Sequence, residues 1–198
     1  PVLRKANNFL NKEKGIETAE DAVRGAMDII AEQVSENERS RQTIRSQFAR
    51  NAIITSKLVK GKEEEGQKYR DYFDWNEPLR RCSGHRLLAM RRGEEEGILR
   101  VSISIEPEEA LERLDRQYVR GNSEAAHRIK EAVEDGYKRL LTPSIETEFS
   151  ALSKEKADEE AIRIFVRNLE QGKPSLRMDK VNQLLNLFNY TLTATPKY

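Results

Sequence analysis

The sequence predicts a mainly α fold: a multi-helix domain with a helix-turn-helix-like part, one long helix and at most a small two-stranded β ribbon. Three observations predict it. Charged residues make up 35% and hydrophobic residues 37% of the 198-residue chain, and the charges nearly cancel at +1, a mixed-charge composition of helical type. Apolar residues recur at spacings of three and four along most of the chain. Only two stretches, IITSKLV (53–59) and GILRVSISI (97–105), read as strands.

Taken in order, Thr18 and Asp21 stand as cap and first-turn acid ahead of Ala22, Val23, Ala26, Ile29 and Ile30, which predicts an amphipathic helix over about residues 19–34. Ser35 with Glu38 reads as a capping box. It opens a second helix through Ile44, Phe48 and Ala52, whose other faces carry Arg39, Arg41, Arg45 and Arg50. IITSKLV is rich in β-branched residues and stops at Lys60 and Gly61, while GILRVSISI alternates Ile98, Val101, Ile103 and Ile105. Paired, the two make a ribbon that needs helices packed on it.

Between them, GKEEEGQKYRDYFDW starts with acids and sets Tyr69, Tyr72 and Phe73 on one face of a short helix. Pro78 starts another turn. Ser83 caps a helix through Leu87, Leu88 and Met90 that ends at Arg91, Arg92 and Gly93. Three short helices joined by tight turns resemble a helix-turn-helix.

Pro107 opens PEEALERLDRQYVR, closed by Gly121, and Asn122 and Ser123 cap EAAHRIKEAVEDGYKRLL. Pro143 then breaks the pattern. From Ser144 a long helix follows, with Ile145, Phe149, Leu152, Ile162, Phe165 and Leu169 on its apolar stripe. Residues 1–170 form the first region. In 171–198, Val181, Leu184, Leu185 and Phe188 mark an appended helix ahead of a threonine-rich tail.

Several function classes lack their residues. The single cysteine, Cys82, excludes an internal disulfide and cannot build a structural zinc site alone. His85 and His127 have no HxxxH or HExxH context, and neither GxGxxG nor GxxxxGK[ST] occurs. No metal and no cofactor is expected. Cys82, followed by Ser83, Gly84 and His85, can be read as a thiol nucleophile near a base or as a buried structural cysteine. The surroundings of known cysteine enzymes are missing, so the chain reads as a non-enzyme without catalytic residues. The glutamates at 63–65 and 94–96 sit beside glycines, where solvated faces or helix-dipole partners explain them. No apolar run approaches the roughly 20 residues of a membrane helix, and the opening PVLRKANNFLNKEK has no signal-peptide centre. A cytoplasmic protein without membrane contact is expected.

The basic signal is stronger. Arg80, Arg81, His85, Arg86, Arg91 and Arg92 fall within thirteen residues that contain no acid, and a helix N-terminus near Ser83 adds backbone donors suited to phosphate. Two readings stay open: a phosphate-contacting patch, or an ordinary ion-pair network with Asp71, Asp74, Glu77 and the glutamates at 94–96. The same holds for the aromatics. Tyr69, Tyr72, Phe73 and Trp75 can stack on unpaired bases or form a local core. Trp75, just past the helix end, is the candidate for base stacking.

GKEEEGQKYRDYFDWNEPLRRCSGHRLLAMRRGEEEGILRVSI (61–103), GYKRLLTPSIETEFSALSKEKADEEAIRIF (136–165) and KGIETAEDAVRGAMDIIAEQVSENERSRQTIRSQFA (14–49) resemble the bacterial Tex family of transcription accessory proteins. The resemblance covers roughly residues 13–170, and long idiosyncratic strings in order are far more specific than a glycine motif. It implies the helical N-terminal region of a Tex-like protein, without the family's first helical portion. The RNase H-like fold, the helix-hairpin-helix elements and the C-terminal OB-fold domain, the family's main nucleic-acid binder, lie outside these strings. The family is similar to a eukaryotic transcription elongation factor that also handles histones. The partners implied are RNA or DNA and the transcription machinery. After Phe165 the sequence departs from the family pattern, with VRNLEQGKPSLRMDK in place of an apolar segment. The expected function is a non-enzymatic, nucleic-acid-associated module contacting phosphates through the arginine-rich segment. The alternative is a helical scaffold or protein-interaction module.

Overall fold

A computed structural model describes residues 1–171. Within them α1 (Val2–Ala6), α2 (Ala19–Glu36) and α3 (Glu38–Asn51) lead into strands β1 (Ile53–Leu58) and β2 (Asp74–Pro78). Then follow α4 (Gly84–Glu95), β3 (Leu99–Ser104), α5 (Pro107–Tyr118), α6 (Glu124–Gly136) and α7 (Thr142–Glu170). The fold is mainly helical with one small sheet, as expected. Pro1–Ala157 form one compact unit, and Asp158–Tyr198 a second. In the second, the last turns of α7 are described. The appended helix and tail expected after residue 171 lie outside the described residues.

Thr18 opens α2 with the full reciprocal cap: its Oγ1 accepts from the Asp21 N–H at 3.1 Å, and Asp21 Oδ2 accepts from the Thr18 N–H at 3.0 Å. The next cap is not Ser35. Ser35 lies in the last turn of α2 and donates to the Glu32 carbonyl at 2.8 Å, while extended Asn37 caps α3 by accepting from the Ser40 N–H at 3.1 Å. An asparagine one residue ahead of Glu38 outcompetes the serine because the cap must stand immediately before the first helical residue.

The strands 53–59 and 97–105 do pair, antiparallel, with Ile54 opposite Ile103 and Lys57 opposite Arg100. The ribbon has a third strand, however. β2 pairs antiparallel on the other edge of β1, giving the order β2-β1-β3. DWNEP carries two acids and a proline and no apolar alternation, so nothing local announces it; the open edge of β1 recruits it. Pro78 sits at the end of the strand, where an absent N–H costs little. One sheet face buries Ile54 and Ser56 of β1 with Leu99, Val101 and Ile103 of β3. Phe48 of α3, Leu87 and Met90 of α4 and Ile145 of α7 belong to the same core. Ser56 is satisfied there by donating to the Tyr72 carbonyl at 2.8 Å.

Of the three short helices expected over 67–93, the first two are 3-10 turns, Gln67–Tyr72 and Leu79–Arg81, with β2 between them. Ser83 caps the third, α4, as expected. α4 does not end at Gly93. That glycine is buried inside the helix, where a Cβ would lie 2.5 Å from the Leu99 side chain, so the position requires glycine for close packing, and the chain turns instead at Gly97 with φ 72°.

Pro143 does not break the last helices. A π turn, Tyr137–Leu141, joins α6 directly to α7. Proline has no N–H for the carbonyl four residues back and its ring crowds that carbonyl, and a wider turn just ahead of it relieves both. At Gly136 the α6 backbone lies against α2, with a built Cβ 2.7 Å from the Ala31 carbonyl oxygen. In α7, Ile145 is fully buried and the Phe149 ring lies 5.3 Å from that of Phe48. Leu152, expected on this stripe, is 53% exposed.

Candidate nucleic-acid interface

The arginine-rich segment divides into pinned and free members. Arg86 donates to Glu77 from Nε and Nη2, both at 2.9 Å, and from Nη2 to the Arg81 carbonyl at 3.2 Å. Its guanidinium carbon lies 6.0 Å from the Trp75 ring centroid. Arg91 donates to Glu94 at 2.7 Å and to the Ser150 hydroxyl of α7. Its side chain is only 12% exposed. These two guanidiniums fasten α4 to β2 and to α7, which is the ion-pair reading of the segment.

Arg80, Arg81, His85 and Arg92 are exposed, and none of their side chains makes a hydrogen bond or close ion pair among the described residues, although Arg92 lies in the field of the Glu96 carboxylate. Arg80 and Arg81 stand on the turn before α4. His85 and Arg92, seven residues apart on α4, project from one side of the helix about 10 Å apart along its axis.

Glu77 holds this arrangement. Its side chain is 12% exposed, and besides Arg86 it accepts from Trp75 Nε1 at 3.2 Å. Burial pushes its carboxyl up, but hydrogen bonds from Arg86, Cys82 and Trp75 outweigh that and hold it below the ordinary value. The same pairing raises the Arg86 guanidinium. Trp75 is half-buried, with its ring edge-on to Tyr72 at 6.2 Å. Tyr69 is 5% exposed, and Tyr72, Phe73 and Trp75 pack on the core, so the aromatic half of the segment is local core.

Of the glutamates at 94–96, Glu95 is solvated as expected, while the other two are tied to neighbouring elements. Glu94 takes Arg91 and the Val101 N–H, and Glu96 takes Tyr69 Oη at 2.8 Å and Lys68 at 2.6 Å. Cys82 is half-buried, and burial, followed by the neighbouring Glu77 carboxylate, pushes its thiol up to about 12, the reverse of an activated nucleophile. His127 is exposed on α6 with Nδ1 2.9 Å from the Ser123 carbonyl oxygen. Among the described residues no three His, Cys, Asp or Glu side chains converge as metal ligands, and no helix is long and apolar enough to cross a membrane.

Sheet pairing brings together two cations that a linear reading does not connect. Lys57 of β1 and Arg100 of β3 are direct cross-strand partners on the exposed sheet face. Both lie inside the two predicted strands, so pairing those strands in register is the signal that locates them.

Comparison with known proteins places the chain in a family. The family model described as Tex central region-like matches residues 3–165, ending where the sequence departs from the Tex pattern. YdcI of Bacillus subtilis (strain 168) is 38% identical over 168 residues, covering 84% of this chain and 23% of that protein. Transcriptional accessory protein Tex of Neisseria gonorrhoeae is 35% identical, covering 83% and 22%. S1 RNA-binding domain-containing protein 1 of Homo sapiens is 26% identical, covering 80% and 17%. The chain therefore spans less than a quarter of the length of these relatives. With more than four-fifths of it aligned to such relatives and the family model matched almost from end to end of the unit Pro1–Ala157, the chain belongs to the Tex central region-like family.

Proposed function

We propose that the chain is a non-enzymatic, nucleic-acid-associated module of a Tex-like transcription accessory protein, and that it contacts phosphates through Arg80, Arg81, His85 and Arg92. One observation carries the reading. Four exposed basic side chains that make no hydrogen bond or close ion pair among the described residues cluster on and just before α4, while the two pinned arginines of the same segment hold that helix in place. Exposed basic side chains on a rigid element suit phosphate, because no internal hydrogen bond must be broken to reach it. The names of two relatives, a transcriptional accessory protein and an S1 RNA-binding domain protein, agree with a nucleic-acid setting. The transcription machinery is the partner class this reading implies.

The test is binding of a labelled single-stranded RNA across a salt series by the parent chain and an R80Q/R81Q/R92Q variant. Each phosphate contact contributes about 0.7 to the slope of log affinity against log salt for single strands. Loss of three contacts makes the slope shallower by about 2. An unchanged slope would contradict the assignment.

A second reading has its own observation. A groove of about 470 Å³ beside α2 is lined by Val2, Ala6, Phe9, Ile16, Ala22 and Ile29, and Phe9 and Ile29 are 69% and 57% exposed. Such a surface favours a protein-interaction module. It is the reading that stands if the parent chain binds no RNA at low salt.

A further inference from the structure

The exposed face of the sheet carries polar and charged side chains that the core does not use. β1, β2 and β3 present on this face the cross-strand rows Pro78–Ile53–Ser104, Asn76–Thr55–Ser102 and Asp74–Lys57–Arg100. The opposite face is spent on the core, and its polar members Ser56, Trp75 and Glu77 all have partners. On the exposed face the position is reversed. Thr55, Lys57, Asp74, Asn76, Arg100 and Ser102 make no side-chain hydrogen bond or ion pair among the described residues. That is uncommon in a chain where most other elements are laced by ion pairs.

The row holding Lys57 has the more pointed feature. Lys57 and Arg100 are directly opposite each other on neighbouring strands, with Cα atoms about 5 Å apart. Like charges in that position destabilise a sheet. Asp74, on the far side of Lys57, forms no ion pair with it. Asp74 offsets one of the two charges from across the sheet without bonding to either, so the pair keeps its hydrogen-bond donors available to an anion.

We propose that Lys57 and Arg100 bind a phosphate of a single nucleic-acid strand lying across the exposed sheet face, with Thr55, Ser102 and Asn76 meeting its sugar and base edges. The face favours a single strand. Three strands spaced about 4.8 Å apart make a flat platform about 10 Å wide, whereas a duplex groove is entered by a helix or a two-stranded ribbon. Hydroxyl and amide groups beside a cation pair match the alternation of phosphate and polar edge along such a strand. This proposal rests on the nucleic-acid reading above and adds a site to it.

The experiment uses the same labelled single-stranded RNA and salt series with K57Q/R100Q, with the R80Q/R81Q/R92Q variant in parallel and a thermal melt of each. The expected result is a slope shallower by about 1.4 for K57Q/R100Q, two contacts at about 0.7 each. Its melting temperature should be unchanged or higher, because like-charge repulsion is removed. D74N, which deletes the one acid of this face, should bind more tightly than the parent, a gain that unfolding cannot imitate. If the slope for K57Q/R100Q equals the parent's while that of the α4 variant falls, the sheet site is overturned and the proposed function stands. If only K57Q/R100Q falls, the sheet site stands and the α4 assignment fails. A parent chain that binds no RNA at low salt overturns both.

Discussion

Glu77 takes four donor atoms from three side chains around one buried carboxylate, so the positions of Trp75, Cys82 and Arg86 all depend on it. Replacing it by Gln removes the charge that Arg86 answers. The expected cost is about 1.5–3 kcal/mol, in line with hydrogen bonds to a charged group, read by urea denaturation. The pH dependence follows from the direction of the shift. A carboxyl held below its ordinary value of 4.5 contributes stability that is fully present above that value and is lost as pH falls through the lower folded value. The parent should therefore lose this increment in acid, and E77Q should lack that part of the acid limb. Equal acid limbs would mean that the Glu77–Arg86 pair contributes nothing. Cys82 gives an independent check. With its thiol pushed up to about 12 by burial and the neighbouring Glu77, its thiolate fraction at neutral pH lies well below that of a free thiol. Iodoacetamide should label it far more slowly in the native chain than in urea, and comparable rates would refute the burial argument.

At the level of elements, what the sequence disclosed and what it hid have identifiable causes. The helices announced by strong local chemistry are where the residues place them. Thr18 with Asp21, Ser83, Pro107 and Ser123 all mark real starts, and the apolar alternation of β3 is a real strand. Features decided by distant partners were hidden. β2 pairs with the open edge of β1, Gly93 is a packing glycine against Leu99 rather than a helix stop, and Pro143 is absorbed by a π turn rather than ending the helix. The division of the arginines has the same origin. Proximity in sequence showed six basic residues together, but only the fold shows that Glu77 and Ser150 claim two of them. Lys57 and Arg100 were missed because their nearness is a property of strand register. The revised cap is directly testable. Asn37→Ala should destabilise the chain by about 1 kcal/mol, while Ser35→Ala should leave the urea midpoint nearly unchanged. The opposite order would restore Ser35 as the cap of α3.

For the whole molecule, the unit Pro1–Ala157 is a helical scaffold around a small sheet, and its basic residues separate into structural and available sets. Net charge is only +1, so any affinity for nucleic acid must be local and steeply dependent on salt. The chain covers less than a quarter of its relatives' lengths, and the binding proposed for it is its own rather than that of a longer protein. The central claim is that the available cations, and not the pinned ones, meet phosphate. The most direct test compares the salt slope of single-stranded RNA binding for the parent chain, R80Q/R81Q/R92Q and R91Q, each checked for folding by thermal melt. The predicted result is a slope shallower by about 2 in the triple variant and unchanged in R91Q, which should lose stability instead. A slope that is unchanged in the triple variant, or that falls in R91Q at full stability, would contradict the claim.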